Sequence, residues 1–189
     1  MDRRLVVTGY KSHEMGIFQG EDRRVLFIKE AIRKRLVAFL EDGGEWVLVS
    51  CQPGVEFWTA QVVLALKEDY DVSLAVLPPF EGVEERWPED IQMAFQEIKE
   101  DADFYKPVYK GGYQGAFQFK AKDRFLIEHS DRALVLYDEE TPGTPKFFLE
   151  MARFAEGYEI ERITPEDLQD TVEELEWTSP ELFEGGNPD

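Results

Sequence analysis

Ser50-Cys51-Gln52-Pro53-Gly54-Val55-Glu56-Phe57-Trp58 is the stretch that decides the fold. It follows the short apolar run Trp46-Val47-Leu48-Val49 and opens a strongly apolar segment from Phe57 to Leu66. A strand therefore turns through Pro-Gly directly into a helix. The helix is apolar on nearly every face, which places it deep in the protein. In open α/β sheets, ligands bind at such carboxyl ends of strands.

The same pattern recurs on both sides of this turn. Upstream, Leu5-Val6-Val7-Thr8 reads as a buried strand ending at Gly9, followed by a long connection from Tyr10 to Gly20. Val25, Ile28, Ile32, Leu36 and Phe39 then recur at helical spacing within 22–40, and Glu41-Asp42-Gly43-Gly44 ends that helix. Downstream, Val72 to Leu77 is a third strand stopped by Pro78-Pro79, and Ile91, Phe95, Ile98 and Ala102 mark a helix entered through Trp87-Pro88. Phe104 to Val108 is a weaker strand placed near an edge, because Pro107 cannot donate to a ladder. The spacing of Phe117, Ala121 and Phe125 predicts a helix over 113–128 with those residues on its apolar face.

Ala133 to Tyr137 is the clearest strand; it ends at Asp138 before Thr141-Pro142-Gly143-Thr144-Pro145. Thr144 is placed as the N-cap of a helix with Pro145 at its first position. Tyr158 to Ile163 alternates like a half-buried strand, and Thr164-Pro165 caps a last helix. Alternation of strands and helices with connections too long for hairpins predicts an α/β, three-layer Rossmann-like fold: a mostly parallel sheet with helices on both faces. One domain is expected over 1–177, followed by an acidic, loose tail over 178–189.

The 189 residues carry 21 basic and 40 acidic side chains, a formal charge of −19, with 43% hydrophobic content for a sizeable core. That charge repels a polyanionic backbone at long range, so nucleic acid is a poor candidate partner. No apolar run reaches bilayer length, no signal-peptide core follows the N-terminus, and one cysteine excludes an intrachain disulfide. A cytoplasmic protein is expected.

Three strand ends converge if the sheet is doubly wound: Thr8-Gly9-Tyr10-Lys11, then Ser50, Gln52, Gly54 and Glu56, then Asp138 with Gly143-Thr144. Helix N-termini attract phosphate or carboxylate, and glycine lets a ligand approach the backbone. Glu56, in a first helical turn, is either a dipole stabiliser or a sugar-hydroxyl acceptor or general base. Tyr10 and Lys11 in the long loop are a contact and a phosphate cation, whereas Trp58, Trp87 and Tyr113 fit a core. Cys51 at a strand end reads as a small buried hydrophobe more than as a nucleophile paired with His13 or His129. The two histidines and the cysteine show no metal-ligand spacing.

Val7 to Lys11, Ser50 to Trp58 and Leu136-Tyr137-Asp138-Glu139-Glu140 together resemble the YpsA family of bacterial proteins. That family belongs to the SLOG superfamily, alongside the LOG phosphoribohydrolases and the DprA DNA-binding proteins. The resemblance implies a Rossmann-like fold and a pocket for a nucleotide or nucleotide-derived, ADP-ribose-like ligand, with Gly54 and Glu56 as the family's glycine and acidic residue. It also implies a regulatory role linked to cell division.

The LOG enzymes place glutamates closely after a Gly-Thr junction, whereas here Gly143-Thr144 is followed by Pro145-Lys146-Phe147. A glycosidic hydrolase would need Glu56 or Glu150 instead. Three readings follow: a nucleotide-binding regulator, a nucleoside-monophosphate phosphoribohydrolase with Glu56 as its catalytic group, or an interaction module whose pocket is vestigial and which meets a protein partner or a second copy of itself.

Overall fold

A computed structural model describes residues 3–184. In chain order its elements are β1 (Arg4–Gly9), α1 (Arg23–Glu41), β2 (Trp46–Val49), α2 (Val55–Leu66), β3 (Ser73–Val76), α3 (Glu89–Asp101), β4 (Phe104–Tyr105), α4 (Phe117–Glu128), β5 (Arg132–Leu136), α5 (Pro145–Arg153), β6 (Glu159–Ile163) and α6 (Pro165–Thr178).

The strands form one sheet in the order β4-β3-β2-β1-β5-β6, with every pairing parallel. Val6 stands opposite Leu48 on one side and Ala133 on the other. Leu5, Val6, Val7, Val47, Leu74, Ala133 and Leu134 are all buried, as strands covered on both faces require. The short β4 lies at an edge, where the adjacent Pro107 withdraws no ladder donor.

Right-handed crossovers set the layers. The chain steps from β1 to β4 in one direction and from β4 through β5 to β6 in the other, so the two sets of connecting helices cover opposite faces. Accordingly α1 packs against α2 and α6, α2 also against α3, and α4 against α5 on the other face. The direction reverses between β1 and β5, and this crevice is where a doubly wound sheet takes ligands.

The helix stripes follow the sequence in α1, whose buried residues include Val25, Ile28, Ile32, Leu36 and Phe39, and in α2, which is buried nearly all round. The α4 helix departs from it. It starts at Phe117, four residues later than the spacing suggests, and its inward residues are Gln118, Lys122, Leu126 and Ile127, while Phe117 is exposed. Gln118 can be buried because its side chain satisfies the preceding loop: Oε1 accepts from Gln114 N at 2.8 Å and Nε2 donates to Gly112 O at 3.2 Å.

Within the expected tail, Pro180–Phe183 forms a 3-10 turn whose Phe183 ring stacks on Phe27 at 5.7 Å. Residues 185–189 lie outside the described residues. Among the described residues, no helix is long and apolar enough to cross a membrane.

Candidate functional site

The turn after β2 is tight and strained. Cys51 adopts φ 63°, the one non-glycine residue among those described with positive φ, and Gly54 follows at φ 128°. A Cβ on Gly54 would lie 2.5 Å from Tyr10 O and 2.6 Å from Ser12 N. Gly54 is therefore glycine because the long β1–α1 connection crosses it. Lys11 bridges to Gly54, Ser12 N donates to Pro53 O at 3.0 Å, and Val55 N donates to Tyr10 O at 3.1 Å. Phe57 N donates to Gln52 O, so two N–H groups of the first turn of α2 are spent on the protein's own carbonyls.

The other two expected glycines follow the same logic. A Cβ on Gly9 would meet the Val55 side chain at 2.8 Å, and one on Gly143 would meet the Tyr10 ring at 2.9 Å. Thr144 is itself helical and does not cap α5 with its side chain. Its N–H instead donates to Glu14 Oε1 at 3.2 Å, while Lys11 N donates to Glu14 Oε2 at 3.3 Å. A protein carboxylate thus sits at the N-terminus of α5, where the helix dipole favours an anion.

Tyr10 is an internal strut. Its hydroxyl donates towards Thr141 O at 2.7 Å and Asp138 O at 3.0 Å and accepts from Asp138 N at 2.8 Å. It is buried and packs on Tyr137 with ring centroids 5.5 Å apart. Tyr10 and Asp138 border a separate cavity with Met15 and Leu168, beside α6.

Six expected residues do share one cavity: Thr8, Gly9, Lys11, Gln52, Glu56 and Thr144 line a space of about 290 Å³. Tyr10, Ser50, Gly54, Asp138 and Gly143 are outside it. Ser50 acts from behind, donating through N to Glu56 Oε1 at 3.1 Å and through Oγ to the same oxygen, while Thr8 Oγ1 donates to Glu56 Oε2 at 3.4 Å. Glu56 is 6% exposed and ties the ends of β1 and β2 together across the cavity floor.

The remaining wall comes from α4 and α5, through Phe119, Lys120, Lys122, Asp123, Phe147 and Phe148. Lys122 is 8% exposed and its Nζ lies 2.8 Å from Asp123 Oδ1. Burial pushes the Lys122 ammonium down, but the Asp123 and Glu56 carboxylates outweigh it and hold the group above its ordinary range. It remains charged. With Lys11 and Lys120, this gives the cavity three cations against two carboxylates in a chain of net charge −19.

Gln52 completes the site. It is 7% exposed and lines the cavity, and its Nε2 has no hydrogen-bond partner. A buried amide left unmatched costs about 1–3 kcal/mol, so such groups are rare without a reason. Cys51 next to it is fully buried, and burial together with Glu56 pushes its thiol well up, which leaves no thiolate to attack.

Lys122, Asp123 and Glu14 were not among the expected site residues. The available signal was the i, i+4 pair Gln118 and Lys122 followed by Leu126, a polar stripe ending in an apolar residue. The stronger aromatic spacing one residue earlier hides it.

The model of the YpsA family, described as the YspA SLOG family, matches residues 5–168. A UPF0398 protein of Oceanobacillus iheyensis is 48% identical over 181 residues, covering 95% of this chain and 98% of the relative. A UPF0398 protein of Bacillus cereus is 45% identical, covering 94% and 98%. Among solved structures, DNA processing protein A from Helicobacter pylori, studied for its single-stranded DNA binding mode, aligns with TM-score 0.52 and 12% identity over 90% of this chain and 80% of that one. At that identity the likeness is one of fold. It lends no support to the charge-based expectation against nucleic acid.

Proposed function

The chain belongs to the YpsA SLOG family, and on that premise we propose that it is a cytoplasmic regulatory protein that binds a phosphorylated, nucleotide-derived small molecule in the cavity between β1, β2, α4 and α5. The observation that carries this reading is the unpartnered amide of Gln52, 7% exposed and bordering a cavity that also holds the buried Lys122. A ligand oxygen would satisfy the amide, and a phosphate would meet the surplus of lysines. The volume of about 290 Å³ lies at the small end of ligand pockets, which suits the sugar-phosphate part of a mononucleotide or one half of an ADP-ribose-like molecule. A role in cell division rests on the family resemblance alone.

Binding at a hundredfold excess over Kd would stabilise the protein by about 2.7 kcal/mol, roughly 5–10 °C in Tm for a chain of this size. The test is a thermal-shift panel of AMP, ADP-ribose and nucleotide sugars on protein stripped of bound ligand, repeated with Gln52→Leu and Lys122→Met. A shift that both substitutions abolish is expected; no shift from any compound removes the proposal.

One observation favours a second reading, hydrolysis of a nucleoside monophosphate at its glycosidic bond: Glu56 and Asp123 border the same cavity. Against it, both Glu56 oxygens already accept hydrogen bonds from Ser50 and Thr8, and Glu150 is exposed on α5 away from the cavity. Base release from monophosphates, lost in Glu56→Gln, would establish the hydrolase, and its absence with every monophosphate would dismiss it.

A further inference from the structure

Beside the lysine-lined cavity runs a second, wider one of about 730 Å³, and Phe119 borders both. Its wall is aromatic: Phe80, Tyr113 and Phe119 form a cluster with centroids 5.5 Å apart for Phe80–Tyr113, 6.0 Å for Phe80–Phe119 and 6.4 Å for Tyr113–Phe119. Tyr113 is nevertheless 63% exposed, so an aromatic face is held open to solvent. Gly112, also on the wall, has nothing within 4 Å of where a Cβ would stand, which leaves a flat approach to the backbone.

The wall is built rather than loose. Phe80 bridges to Tyr109, Glu81 N donates to Gly111 O at 3.2 Å, and Gly111 N donates to Glu81 Oε2 at 3.2 Å. The fully buried Gln118 fastens the same loop from beneath through Gly112, Gln114 and Gly115. The side chain that stitches this loop is one turn of α4 before Lys122, so one helix sets the spacing between the aromatic wall and the cationic cavity.

Resting on the nucleotide-binding reading above, we propose that this aromatic groove is the stacking subsite for the base of the ligand, whose phosphorylated end lies against Gln52 and Lys122. Charge fixes the direction. The groove carries Glu81 and Glu85 against a single Arg86, which repels phosphate, whereas the neighbouring cavity has three lysines to two carboxylates. The Glu81, Glu85 and Arg86 side chains supply acceptors and a donor for the edge of a base. Lys11 spans the two parts, lining the lysine cavity with its Nζ 5.6 Å from the Phe119 ring.

The test compares AMP with ribose 5-phosphate, which differ by the base, through calorimetric titration of the wild type, Tyr113→Ala and Tyr113→Phe. Tyr113 is exposed, so neither substitution threatens the fold. AMP should bind the wild type more tightly than ribose 5-phosphate. Tyr113→Ala should weaken AMP by about 5- to 150-fold, the range for losing one aromatic platform under a base, and leave ribose 5-phosphate unchanged. Tyr113→Phe should retain AMP affinity. Equal affinity of the two probes, or an unchanged AMP affinity in Tyr113→Ala, overturns the stacking subsite and leaves the phosphate site standing. Failure of both probes to bind the wild type overturns the stacking subsite and the mononucleotide reading together.

Discussion

Replacing Gly54 with alanine tests whether the glycine serves the fold or a ligand. At φ 128° and ψ −141° the backbone occupies a region open essentially to glycine, which costs a residue with a Cβ about 1–3 kcal/mol. The new methyl would also lie 2.5 Å from Tyr10 O, 2.6 Å from Ser12 N and 2.8 Å from Lys11 Cα, all backbone atoms that no rotamer change can move. Overpacking of this kind adds about 1–3 kcal/mol. A loss of roughly 2–6 kcal/mol is expected from these two terms, a large part of the ~5–15 kcal/mol that holds a domain together. Urea unfolding followed by circular dichroism gives the loss as a shift of midpoint at constant slope. A loss below about 1 kcal/mol would refute the steric argument. If that stable variant also lost its nucleotide-induced thermal shift, Gly54 would be a ligand contact after all.

Tyr10→Phe removes a hydroxyl that bonds Thr141 O, Asp138 O and Asp138 N, so it should cost about 1–3 kcal/mol in the same assay while leaving probe affinity unaltered; lost affinity at full stability would return Tyr10 to the ligand. At alkaline pH, burial pushes the Tyr158 phenol up to about 12 despite the hydrogen bond with Ser130 that pulls it down. A folded value above the unfolded one means the contribution is fully present below about pH 10 and lost as the pH rises towards 12. The urea midpoint of Tyr158→Phe should fall less than that of the wild type in that window, and parallel curves would contradict the assignment.

The fold was legible because its signals are local and repeated. Val6, Val47, Leu74 and Leu134 sit in short apolar runs of the kind a sheet covered on both faces produces, and the α1 stripe matches its buried face residue by residue. The site was half legible. Thr8, Lys11, Gln52 and Glu56 lie next to strand ends, and the parallel pairing of β1 with β2, expected for a doubly wound sheet, brings those ends together. Lys122 and Asp123 come from a helix whose polar inward face is set by its loop partners and not by periodicity. Sequence pattern favours the aromatic face of that helix, while the hydrogen-bonding needs of residues 112–115 favour Gln118.

The glycines carry the broader consequence. In a dinucleotide-binding turn, glycine lets a pyrophosphate reach the backbone N–H groups of a helix. Here the spaces beside Gly9, Gly54 and Gly143 are filled by Val55, by the Tyr10–Ser12 backbone and by the Tyr10 ring, and Glu14 occupies the N-terminus of α5. On the proposed reading anion recognition therefore falls to side chains, of which the cavity offers Lys11, Lys120, Lys122 and Gln52, the last two buried. A buried ion pair gives little net stability over apolar packing, and an unmatched amide subtracts from it. Neither Lys122–Asp123 nor Gln52 is explained by the stability of the fold, and both border the same 290 Å³. Lys122→Met should accordingly leave the folded protein about as stable as the wild type only when Asp123 is replaced by an apolar residue as well, and the double variant should no longer respond to AMP. A double variant that kept its AMP response would show that the charge pair serves the core and that recognition lies elsewhere.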